Sequence, residues 1–140
     1  MTDENAISDA FVKAIQSGVQ GLVTVEAAAG PIEEIVNQLM RYPAVLVLIG
    51  MITFSEGDES GELLEGDMTV DLLVGNKSLR SKEEGAKGAY DILKSLREFL
   101  HGKAVGLDGT VWTIKDQRPV DFRKGLAIYL QRYSGFNVHF

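Results

Sequence analysis

Apolar positions recur along this chain with two different periods. Ile7, Ala10, Phe11, Ala14 and Ile15 fall at the three- and four-residue spacing of one helical face. Gly18 follows, where glycine ends a helix cheaply. From Leu22 to Ala27 the pattern switches to alternation and reads as a strand. Gly30-Pro31 opens a second helix with Ile32, Ile35, Val36, Leu39 and Met40 on its apolar face. Glu33 and Glu34 sit in its first turn, facing the positive end of the dipole, and Pro43 closes it. The run AVLVLIGMITF, Ala44 to Phe54, is too apolar for a one-sided strand and predicts a central strand covered on both faces. Gly50 within it marks a bulge or a close approach.

The following SEGDESGELLEGD holds six acids, three glycines and no basic residue, which predicts a flexible loop over about 55–67. MTVDLLVGN then returns as a strand with Met68, Val70, Leu72 and Val74 on one face, an antiparallel neighbour of the first. Ser81 with Glu84 three residues on is a capping box. It opens a helix of about 20 residues whose face is Ala86, Ala89, Tyr90, Leu93, Leu96, Arg97 and Leu100, stopping at Gly102. Gly85 and Gly88 each cost this helix up to ~1 kcal/mol against alanine, which predicts close packing on another backbone. Thr110 to Lys115, Val120 to Arg123 and Leu126 to Tyr133 read as strands, with a break at Ser134-Gly135 before a final FNVHF. The order α-β-α-β-β-α-β-β, with room for one more strand, predicts an α+β domain: a mostly antiparallel mixed sheet with helices packed on it. The 140 residues fit a single domain.

Composition removes several kinds of chemistry. There is no cysteine, so disulfides, thiolate metal sites and thiol nucleophiles are out. The longest apolar run falls far short of the roughly 20 residues of a membrane helix. The opening MTDENAISDA is acidic and polar, unlike a signal peptide, and the reading places the chain in the cytoplasm. Net charge is −6, which argues against a non-specific hold on nucleic acid. The charge is unevenly spread. Residues 1–76 carry Lys13 and Arg41 against thirteen acids, a net −11; residues 77–140 carry twelve basic residues against seven acids, a net +5. Such a split suits a subunit with one acidic and one basic surface in an asymmetric assembly.

Motifs for catalysis or cofactors do not emerge. His101 and His139 lack ligand spacing, and neither a P-loop, G-x-S-x-G nor G-x-G-x-x-G occurs. The stretch Asp58-Glu59-Ser60-Gly61-Glu62 suggests calcium but places Leu63 where an EF-hand needs glycine. The reading therefore expects no enzyme, no cofactor and no metal. A small ligand-binding or enzymatic α+β domain remains the alternative from another class.

One ordered set of words carries more information. Pro43-Ala44-Val45-Leu46-Val47, Leu79-Arg80, Gly88-Ala89-Tyr90 and Leu100-His101-Gly102 stand in an order and spacing that resembles the Mu-like phage tail terminator family over nearly the whole chain. The resemblance implies an α+β subunit that assembles as a ring, usually of six, on the end of the tail tube. That ring stops tube polymerisation and offers the surface that joins tail to head. It implies partners in further copies of the chain, the tail tube protein, and sheath and head-completion proteins. It also implies assembly in the host cytoplasm before incorporation in the virion. It brings no catalytic residues. The interface candidates are Glu56, Asp58, Glu59, Glu62, Glu65 and Asp67 of the acidic loop, Arg80, and Phe99, which falls off the main apolar side of its helix. The acidic loop has two placements: docked on a basic partner, or facing the lumen and repelling passing DNA. A different neck or connector protein of the same virion is the neighbouring alternative.

Overall fold

A computed structural model describes residues 1–38, 41–55, 64–78, 80–106 and 108–140. Helix α1 covers Glu4–Gly18, three residues earlier than the apolar pattern requires, because Asp3 Oδ1 accepts the Ala6 N–H at 2.7 Å and caps it. Strand β1 is Thr24–Ala27. Helix α2 is the single turn Ile32–Ile35, much shorter than the sequence predicts. The Asn37 side chain explains the early end: its amide donates to the Glu33 carbonyl at 2.8 Å, in competition with the helical backbone. Leu39 and Met40, assigned by periodicity to the same helix, lie outside the described residues.

Strand β2, Ala44–Phe54, matches its predicted limits, and β3, Glu65–Lys77, begins three residues before its apolar pattern. Glu65 and Asp67, which composition puts in the loop, are therefore strand residues, opposite His139 and Thr53 respectively. Helix α3 is Lys82–Leu100, with Ser81 Oγ accepting the Glu84 N–H at 3.1 Å as the capping box predicts. The short β4, Lys103–Ala104, has no counterpart in the sequence reading, and the final FNVHF, with room for a further strand, instead continues the last strand. The predicted pieces 110–115 and 120–123 form one strand β5, Val111–Arg123, and β6 runs unbroken over Leu126–His139.

The six strands form one sheet in the order β1-β2-β3-β6-β5-β4. β1 and β2 are parallel and every other pair is antiparallel. β2 does carry a bulge at Gly50, where the register slips between Ile49 and Ile52. The Met51 N–H there donates to Thr69 Oγ1 at 3.0 Å. A β-carbon on Gly50 would collide with that same hydroxyl.

The sheet has two cores. On one face α1 and α3 bury Phe11, Ile15, Leu93, Leu96 and Leu100 against Val45, Val47, Val70, Leu72, Trp112 and Tyr133. The sheet curls enough for Trp112 to meet Phe11 edge to face, ring centres 5.0 Å apart. On the other face Ile35 of α2 and the adjoining Val36 are buried against Leu46, Leu48, Leu73, Ile128 and Leu130. Alternate residues of β2 thus enter opposite cores, which is why its sequence reads as continuously apolar.

Helix α3 lies close to the sheet because two of its positions have no side chain. A β-carbon on Gly85 would strike the Gly125 carbonyl, and one on Gly88 would strike the Asn76 amide. Asn76 Nδ2 donates to the Gly85 carbonyl at 3.1 Å and ties β3 to the helix. Gly125 itself belongs to the two-residue turn Lys124-Gly125, with φ +46° and +81°, as a tight right-twisted hairpin requires. In an ordinary helix Gly→Ala stabilises by roughly 1 kcal/mol. Here Gly85→Ala should reverse the sign and cost about 1–3 kcal/mol, because the obstacle is backbone. Urea denaturation of the two proteins checks this.

Candidate functional site

Of the sequence-derived interface candidates, Glu56, Asp58, Glu59 and Glu62 lie outside the described residues. Glu65 faces His139, with Oε1 and Nε2 3.5 Å apart. Asp67 Oδ1 accepts the Asn137 N–H at 3.0 Å. Asn137 has φ +55° in an irregular stretch of β6, so Asp67 answers a donor that the ladder leaves over. Arg80 is exposed on the β3–α3 connection, where its own N–H donates to Ser78 Oγ at 3.2 Å. Phe99 is half-buried, and its ring lies across Gly18 of α1, where any β-carbon would strike it. Its contact is thus within the chain, helix to helix. The structure brings Glu65 and Asp67 together near the β2–β3 connection and holds Arg80 at the opposite end of β3.

Sequence reasoning missed two polar arrangements. Asp71 and Arg132 stand directly opposite on β3 and β6. Arg132 Nε donates to Asp71 Oδ1 at 2.8 Å, and Nη2 to Oδ2 at 3.2 Å. This fork-to-fork bond, above all, raises the Arg132 pKa, and Asp116 adds to it from β5. The signal was present: a lone aspartate inside an apolar strand needs a partner, and β6 carries one arginine, Arg132, among largely buried residues. The second arrangement lies beneath α3. Tyr133 Oη donates to Gln131 Oε1 at 2.7 Å. Gln131 Nε2 then donates to the Leu93 carbonyl at 3.1 Å and to Gln117 Oε1 at 3.0 Å, and Arg97 Nη1 donates to that same oxygen at 2.7 Å. Among the described residues no buried side-chain polar atom lacks a partner. The network therefore fixes how α3 sits on β5 and β6.

The histidines are equally occupied. His101 Nδ1 accepts the Ile114 N–H at 3.0 Å and joins the end of α3 to β5. Among the described residues no group of three His, Asp or Glu side chains is placed to hold a metal. No described helix is long and apolar enough to cross a membrane. A cleft of about 780 Å³ runs along α1 and is lined by Ala6, Ala10, Phe11, Ala14, Val105 and Trp112 among others, a mostly hydrocarbon wall.

The site is thus a set of charged strand ends on a braced sheet. Comparison with solved structures agrees on the fold. A chain of the "Virion of native gene transfer agent (GTA) particle" is similar, with a TM-score of 0.61. The two are 11% identical, and the alignment covers 97% of this chain and 96% of that one. Among curated proteins no sequence matches. The family model for bacteriophage Mu, Gp37 matches residues 5–137, and the chain belongs to that family.

Two outcomes follow. Asp71→Ala should lower stability by about 1–2 kcal/mol, less than for a fully buried pair because Arg132 is partly in water. Combined with Arg132→Leu, it should cost less than the sum of the single changes, which a double-mutant cycle in urea reads directly. Burial, and then the hydrogen bond with Tyr90 at 3.0 Å, raise the Tyr129 pKa to about 12. A folded-state pKa above the unfolded value near 10 gives stability that is complete below pH 10 and declines as pH rises towards 12. Tyr129→Phe should flatten that decline in denaturation series at successive alkaline pH values.

Proposed function

We propose that this chain is a tail-terminator subunit. In this reading it forms a ring, six copies in the form the family resemblance implies, on the end of the phage tail tube. The ring stops polymerisation and presents the surface to which the head joins. Its partners are other copies of itself, the tube protein, and the sheath and head-completion proteins. It acts as a structural component without catalysis, assembled in host cytoplasm and carried in the virion.

The observation that carries this reading is coverage. The match to the Mu Gp37 family spans 5–137, and the fold aligns end to end with a chain from an assembled virion particle. The polar residues fit the same role, since Asp71, Arg132, Gln131 and Tyr133 are spent on bracing the sheet. A rigid subunit places its contact surfaces reproducibly around a ring.

Electron microscopy of lysates from the parent phage or prophage with this gene deleted tests the reading. The expected result is over-long or ragged tubes without heads, corrected when the protein is supplied. Tails of normal length that fail to join heads would make the chain a neck connector instead. Normal virions would remove it from assembly altogether.

A further inference from the structure

The rings of Tyr90, Tyr129 and Phe122 form a ridge between α3 and the β5–β6 hairpin. Tyr129 is buried at its base, and the other two rings lean on it edge to face, with centres 5.5 and 5.6 Å away. These outer rings finish in water: Tyr90 is 50% exposed and Phe122 42%. Their positions are fixed nonetheless. The Tyr129 hydroxyl donates to that of Tyr90 at 3.0 Å, and Phe122 stands opposite Ala127 in the paired part of β5. Exposed aromatic rings that are already held in place lose little freedom when covered, which suits them to anchor a contact with another protein.

Cations border this ridge. The Lys124-Gly125 turn follows directly on Phe122 and Arg123, and the Ser78 N–H donates to the Gly125 carbonyl at 2.9 Å. Hairpin, β3–α3 connection and the first turn of α3 therefore meet at one end of the ridge. Lys77, Arg80, Lys82 and Lys124 are exposed there, and Lys87 precedes Tyr90 by three residues on the same side of α3. Among the described residues none of these five has an ion-pair partner. The neighbouring Arg123 is held by Asp121 and Asn37, and Lys94 faces Glu98 at 3.9 Å. Of the acids nearby, Glu84 is occupied by Ser78, whose Oγ donates to its Oε2 at 3.2 Å, which leaves Glu83 and Asp91. Positive charge is thus in excess around an apolar ridge.

We infer that this ridge is a docking site for an acidic segment of a different protein, with an apolar side chain of that segment laid on Tyr90 and Phe122 and its carboxylates on Lys82, Lys87 and Lys124. Each half of the surface sets one half of the partner's chemistry. The rings supply affinity when they are covered, and the lysines select the sign of charge and speed the encounter. Duplex DNA is a poorer occupant, because it would leave the rings uncovered and meet a chain of net charge −6. A second copy is also a poorer match, because Asp3, Glu65, Asp67, Asp71 and Asp121 already answer groups of their own chain. The contact needs neither ring closure nor tail termination and stands beside that reading.

Titration of the ¹⁵N-labelled chain with short synthetic peptides, followed by NMR, tests it. One peptide carries a phenylalanine among glutamates, a second a phenylalanine among lysines, and a third glutamates alone. The expected result is saturable binding of the first, with amide shifts confined to residues 82–91 and 121–125. The third should bind about tenfold more weakly and the second not at all. Phe122→Ser should weaken the first peptide about tenfold. Lys82→Glu/Lys124→Glu should do the same while leaving every ring in place, which keeps the test decisive where Phe122→Ser folds poorly. No saturable binding, equal binding of the glutamate and lysine peptides, or shifts elsewhere overturns the site. Tighter binding of duplex DNA at the same resonances would assign it to nucleic acid, and shifts there with protein concentration alone would assign it to a second copy; either overturns the inference. Failure here is separable from failure of the terminator reading: absent peptide binding leaves the over-long tubes of the deletion strain expected, and normal tubes leave the peptide result as it stands.

Discussion

The pairing of β3 with β6 is the constraint on which the rest of the structure depends. β2 and β3 are joined in sequence, as are β5 and β6, so each pair can find its register locally. β3 and β6 are separated by the whole of α3, β4 and β5, yet they pair from Lys77–Leu126 to Glu65–His139. Only this ladder turns two local units into one sheet. α3 bridges the same seam from above, and its glycines let it approach closely enough to seal it. Asp71 with Arg132, and Gln131 with Leu93, are both bonds across this seam or onto the helix that covers it. The polar groups of the interior are concentrated where the fold has to specify a long-range choice.

The two faces of the sheet differ in how they are covered. α1 and α3 close one face over a large core that includes Trp112, Tyr133 and Phe11. Among the described residues the opposite face has one helical turn, and its apolar cluster is correspondingly small. Beyond the reach of α2 that face turns polar: Thr69, Asp71, Arg132 and Ser134, with the Lys115 ammonium 4.9 Å above the Phe136 ring. A partly wet face tolerates charge only when it is paired, and the Asp71–Arg132 fork supplies that pairing.

Legibility in the sequence followed the strength of local signals. The capping box at Ser81 and the close approach at the glycines of α3 appear in the fold as read, while the run from Ala44 to Phe54 forms the expected strand but is covered on both faces only over Ala44–Leu48, Met51 and Phe54 being exposed. The second helix failed because its opening, Gly30-Pro31, was clear while its ending depended on a side-chain bond from Asn37 that periodicity does not show. Pro119 and Ser134-Gly135 suggested breaks, yet both strands continue. Proline is tolerated on an edge strand. Gly135 is small because Trp112 occupies the space where its β-carbon would be. The Mu-like words named the right family from motif order. The candidate site was less legible: Phe99 and Asp67 looked available in one dimension, and both have neighbours inside the chain that only tertiary structure supplies.

The charges follow a different logic from the core. Hydrophobic alternation, glycine contacts and caps account for every strand and helix without reference to where lysine, arginine, aspartate and glutamate are placed on the surface. A sheet of this topology would be as well packed with its exposed charges mixed. Mixing is in fact the cheaper arrangement, because like charges gathered at Lys77, Arg80, Lys82 and Lys124 repel one another. Gathering them is therefore a cost to the isolated subunit, reduced by Glu83 and Glu84 nearby and by the pairing of Arg123 with Asp121. Stability and surface charge are in this way written in separate residues: the fold can be kept while the exposed charges change.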